Sequence, residues 1–170
     1  IAGFVFTVVI GTLLHFTYEW SGNNALVGAF SAVNESVWEH LKLLSVPMLL
    51  FGVAEYFVYG RKKDNFVPVR LLSILLGMAL TVTVFYTYSG IIGHHVPIVD
   101  ILIFFVAAFV SYRYSYKMLQ TDRYSSKLSQ GFAVLGVILL VACIIIFTFA
   151  PPQIGLFRDP NSGAFGAAVL

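Results

Sequence analysis

The sequence predicts an all-α fold: one integral membrane domain of five transmembrane helices. Two observations carry this. The 170-residue chain is 59% hydrophobic and only 11% charged, where soluble domains carry about 25% charged residues. Its apolar residues also fall in runs of roughly 20, the length at which a helix spans the hydrocarbon core. A single cysteine, Cys143, allows no internal disulfide. A formal net charge of +2 says little by itself, because in a membrane protein placement matters more than total; no nucleic-acid partner is expected. The expected partner is the lipid bilayer, with a second copy of the chain or another membrane protein as further candidates.

The first span covers about 1–18. No basic segment precedes it and no small-residue cleavage site follows, so it reads as a span rather than a signal peptide. The chain begins with Ile1 rather than Met, so some native residues are expected before it. A loop with Gly22, Asn23 and Asn24 leads to Ala25–Val33, too short to cross and read as interfacial or re-entrant. The second span covers about 35–59, with Asn34 as the expected N-cap and a kink or freed carbonyl expected at Pro47. Gly60 to Asn65 ends it.

The third span covers about 68–89, opened by Pro68 in its first turn. A tight loop with His94 and His95 precedes Pro97, which starts the fourth span at about 97–116. After a basic loop, the fifth span covers about 130–150 and stops at Pro151-Pro152. It reads as a featureless, lipid-facing support. Residues 151–170 form a tail with the turn chemistry of an ordered loop, Asp159-Pro-Asn-Ser-Gly163.

Charge placement sets the expected orientation. Eight of the ten basic residues, Arg61, Lys62, Lys63, Arg70, Arg113, Lys117, Arg123 and Lys127, lie at one end of the spans. Lys and Arg accumulate on the cytoplasmic side, so the N-terminus is expected inside and the tail outside. The expected location is the bacterial cytoplasmic (inner) membrane, multi-pass.

That orientation gathers His15, Glu19, Glu35, Glu39, His40, His94, His95, Asp100, Arg158 and Asp159 on the extracytoplasmic face: all four histidines and five of the eight acids. Imidazoles and carboxylates projecting from neighbouring helices are how bundles hold metals. The mixed N and O donors suit Zn²⁺ or another divalent transition metal. His15, Glu19, Glu39, His40, His94 and His95 are the candidate metal ligands. Glu35, Glu39 and Asp100 are the candidate acid–base residues for hydrolysis by a metal-bound water. Arg158 is the candidate substrate contact, on a tail folded over the site as a lid.

Plainer readings stand beside these. Glu35, Glu39 and Asp100 each sit in the first turn of an expected helix, where carboxylates favour the positive end of the dipole. Trp20 and Trp38 fit an interfacial aromatic belt. Glu55 is expected at the headgroups or paired with Lys62 or Lys63. Thr83 and Thr87 either line the cavity or bond their own helix carbonyls, the commoner case. Three functions are compatible: a metal-dependent membrane hydrolase, a transporter of cations or small solutes, and an accessory or assembly subunit of a membrane complex.

Three strings, taken together, resemble an uncharacterised family of small bacterial polytopic membrane proteins. They are His15-x3-Glu19-Trp20-Ser-Gly, then Asn34-Glu35-Ser-Val-Trp38-Glu39-His40-Leu-Lys42, and Pro-Pro with a later Phe-x-Asp159-Pro-x-x-Gly163. The resemblance covers essentially the whole chain. It implies a bacterial membrane location and no particular activity.

Overall fold

A computed structural model describes residues 1–167. They form α1 (Ala2–Trp20), a one-turn α2 (Ala25–Gly28), α3 (Val37–Val58), α4 (Phe66–Ile92), α5 (Pro97–Met118) and α6 (Lys127–Phe149). Single 3₁₀ turns at Gly60–Lys62 and Gly155–Phe157 complete the regular structure. All the α-helices but the short α2 are apolar and long enough to cross a membrane. The chain is therefore a multi-pass membrane protein, all-helical among the described residues.

α4 is the central helix, packed on α5, α3 and α6, while α1 packs on α3 and α5. The core is built of Trp38, Leu41, Leu44, Met48, Ile74, Ala107, Ala108, Ile144 and Phe157. Glycines let the helices approach closely. A Cβ on Gly77 would stand 2.3 Å from the Ser111 hydroxyl and 2.8 Å from Leu44. One on Gly11 would stand 2.4 Å from the Leu43 carbonyl oxygen. Leu43 lies four residues before Pro47, which has no N–H to offer it. α3 runs through Pro47 without ending, and Gly11 lets α1 close over the carbonyl that the proline leaves free. Close backbone approach through small residues is how helices associate when lipid is as apolar as the side chains.

Several expectations change. Ser36, not Asn34, caps α3: its hydroxyl accepts from the Glu39 N–H at 3.4 Å. Asn34 instead accepts from the Ser36 N–H at 2.9 Å and donates to the Gly166 carbonyl at 3.1 Å. Trp38 is no interface anchor. It is buried among Phe147 and Phe157, with ring centroids 5.4 and 5.1 Å away. Trp20 is exposed, as a belt residue should be. Glu55 pairs with Arg70 and accepts from Tyr59 rather than meeting Lys62 or Lys63. Thr83 and Thr87 are exposed, and Thr87 donates to the Thr83 carbonyl. α6 is more than a support, because it carries Thr148 into the interior.

Candidate functional site

Three side-chain clusters gather at the end of the bundle where α1, α4 and α6 finish and α3 and α5 begin. The first is open to solvent. His15 comes from the last turns of α1, His40 from the first turn of α3, and Glu35 from the loop before it. His15 Nε2 stands 3.7 Å from Glu35 Oε1, and His40 Nε2 stands 3.4 Å from Glu35 Oε2. The two imidazole centroids are 5.5 Å apart. One donor atom from each of the three residues lies within 4.8 Å of the others, close enough to share an ion.

The orientation of His40 follows from its backbone partner. Its Nδ1 is 2.9 Å from the Ser36 carbonyl, which can only accept, so Nδ1 carries the hydrogen. Nε2 is left facing Glu35. A backbone carbonyl on the far nitrogen is the usual way a metal-binding histidine is held in its ligating tautomer. Where His40 also carries a proton on Nε2, that N–H, directed at Glu35, holds the carboxyl below the usual carboxylate range, against an opposing effect of partial burial. The charges of His40 and His15 act in the same direction.

The second cluster is closed. Lys42 and Glu39 are 0% and 1% exposed, and Lys42 Nζ meets Glu39 Oε2 at 2.5 Å. Lys42 also donates to the Gly28 carbonyl at 2.9 Å and to Thr148 Oγ1 at 2.8 Å. Glu39 accepts from the Val33 N–H at 3.0 Å. Every hydrogen of the ammonium therefore has an acceptor. The pair ties α3 to α2, to the loop before α3 and to α6. Burial of two charges is tolerable only with such complete pairing.

The third cluster joins α4 to α5. Asp100 accepts from the Tyr88 hydroxyl through one oxygen and lies 3.0 Å from His95 Nδ1 through the other. Tyr88 in turn accepts from the Val96 N–H at 3.0 Å.

The expected site residues thus divide. His15 and His40 come together, with the Glu35 carboxylate between them, in an arrangement that could hold a metal ion. Glu39 is committed to Lys42 in the interior and does not face that cluster. His95 and Asp100 form a separate pair. Glu19 and His94 are exposed and belong to none of the clusters among the described residues. Arg158 is also exposed and bridges to Phe165 through the backbone. Lys42, Thr148 and Tyr88 were not expected at the site. Lys42 had a visible signal, a lone lysine three residues after a glutamate in an apolar helix. Thr148 and Tyr88 had none, because only packing between helices selects them.

The tail closes this end. Phe157 is buried, and Asp159 accepts from the Asn161 N–H at 3.0 Å, the Ser162 N–H at 3.3 Å and the Ser162 hydroxyl. Burial raises the Asp159 carboxyl, but the Ser162 hydroxyl and the backbone N–H groups of Asn161, Ser162 and Glu35 outweigh it and hold the group low.

No curated protein and no solved structure matches the chain. One family model matches residues 1–167, and the chain belongs to that family, a family of unknown function (DUF6512).

Proposed function

We propose that His15, Glu35 and His40 bind a divalent transition metal, with Zn²⁺ the best fit to two imidazoles and a carboxylate. The observation that carries this is the convergence of the three donors within 4.8 Å, His15 from α1 and Glu35 and His40 from the start of α3 and the loop before it. The orientation of His40 through the Ser36 carbonyl adds support. Three protein ligands leave a coordination position open to solvent, the arrangement of catalytic rather than structural zinc. A metal held this way lowers the pKa of bound water and makes it a nucleophile near neutral pH. The reaction class proposed is therefore metal-assisted hydrolysis, and a site at the end of the bundle would lie level with the headgroups of membrane lipids, a substrate class that suits it. We place the site on the extracytoplasmic face of a bacterial cytoplasmic membrane, because the opposite end carries most of the lysine and arginine.

The donors stand at the bundle end, whereas transporters hold their cargo near the midplane, so the transport reading is set aside. The test is metal content and affinity of the purified chain in detergent. Zinc is expected to bind at one equivalent per chain and to raise the melting temperature, with Glu35→Gln and His40→Ala abolishing both effects. Folded wild-type protein with neither bound metal nor a metal-dependent melting temperature would refute the proposal.

A further inference from the structure

Glu35 is the one member of the cluster that no helix holds. It sits in the loop between α2 and α3, so something else must fix where its carboxylate stands. Two sets of contacts reach that loop. From inside, the Val33 N–H donates to Glu39. From outside, the tail arrives: Asn34 donates to the Gly166 carbonyl at 3.1 Å, and the Asp159 carboxylate holds the turn before Gly166 by accepting from the Asn161 N–H at 3.0 Å and the Ser162 N–H at 3.3 Å.

The tail is itself rigidly built. The Asp159 N–H donates to the Ala164 carbonyl and the Gly163 N–H to the Asp159 carbonyl, both at 2.9 Å. Gly163 and Gly166 take positive φ, 74° and 66°, a conformation glycine adopts without strain. At its two ends the segment is pinned to the bundle. Phe157 packs on Trp38, and the Ala167 N–H donates to the Thr148 carbonyl at 2.7 Å. A Cβ on Gly166 would stand 2.6 Å from that same carbonyl oxygen.

From this we infer that the C-terminal hairpin positions Glu35 for the metal: Asn34 is the positioning residue that ties the Glu35 loop to the tail, and Asp159 acts through it by holding the hairpin turn, neither touching the metal. The inference rests on the metal-binding reading of the same cluster. It assigns the tail, expected as a lid over the site, the role of a brace. The tail is a fixed brace, and the metal affinity depends on it from outside the ligand set. Arg158 takes no part in this role.

The experiment uses the full chain in detergent, with Co²⁺ as the spectroscopic probe and hydrogen exchange of the loop amides as a second readout. Asp159→Ala and Asn34→Ala are each expected to speed exchange at residues 33–36. Each is also expected to weaken Co²⁺ binding by about 10–100-fold, the usual effect of losing a residue that orients a ligand, and to change the visible Co²⁺ bands. Asp159→Asn keeps an acceptor for the Asn161 N–H and should restore part of both. If one alanine variant fails to fold, the other carries the test. Unchanged exchange and unchanged Co²⁺ binding in the folded variants would overturn the inference and leave the metal reading standing. If the wild type binds no Co²⁺ while the variants still loosen the loop, the metal reading fails and the bracing of Glu35 survives.

Discussion

Lys42 and Glu39 show how much a single buried charge depends on its partner. Removing one member of such a pair leaves the other unpaired in a low-dielectric interior, at about 3–5 kcal/mol. Lys42→Met is therefore expected to lower the stability of the folded chain by that amount. The double variant Lys42→Met/Glu39→Met should recover much of it, since neither charge then remains. Thermal unfolding in detergent checks both. Glu35 gives the opposite case, a half-exposed carboxyl at the surface. Its folded-state pKa lies below the ordinary value of 4.5, so its contribution to stability is present above 4.5 and is lost as the pH falls through the lowered value. The melting-temperature gap between wild type and Glu35→Gln should hold down to that ordinary value and close in stronger acid. A gap that widened in acid would contradict the ion pair with His40.

Among the elements, α1 and α4 owe their positions to glycine. Gly11→Ala would drive a methyl group into the Leu43 carbonyl, backbone that cannot swing aside. Overpacking of this kind costs typically 1–3 kcal/mol, and Gly11→Val should cost more than Gly11→Ala. Gly52 is the control: nothing lies within 4 Å of a Cβ there. Gly52→Ala should be neutral or stabilising by up to about 1 kcal/mol, the helix-propensity difference. A scan of melting temperatures across the three variants tests the ranking. The element boundaries were legible beforehand, because hydropathy, Pro97 and the polar loops mark them. The cap of α3 was misread by two residues. Asn34 and Ser36 are both good capping residues, and the choice between them turns on Gly166, more than a hundred residues away.

For the molecule as a whole, the orientation remains a matter of charge placement, and accessibility tests it. With Cys143→Ser as background, His94→Cys is expected to react with an impermeant maleimide on intact cells. Lys62→Cys should react only after the membrane is opened. The reverse pattern would put the His15–Glu35–His40 cluster on the cytoplasmic side. The tail also acts at this scale, since it joins residues near both ends of the chain around one loop.

The sequence alone determined that the chain forms five helices long and apolar enough to cross a membrane, and that its histidines and most of its acids collect at one end. Both follow from local quantities, namely the length of apolar runs and the positions of charges along the chain. Which of those groups meet was decided only by the tertiary structure. A soluble helix shows its inward side by an apolar stripe, but these helices are apolar toward both lipid and protein, so their rotation about their own axes leaves no periodic trace. That rotation is set by close contacts such as Gly11 on Leu43 and Gly77 on Ser111. It turns Glu39 inward to Lys42 and Thr148, and leaves Glu35, outside any helix, to stand between His15 and His40.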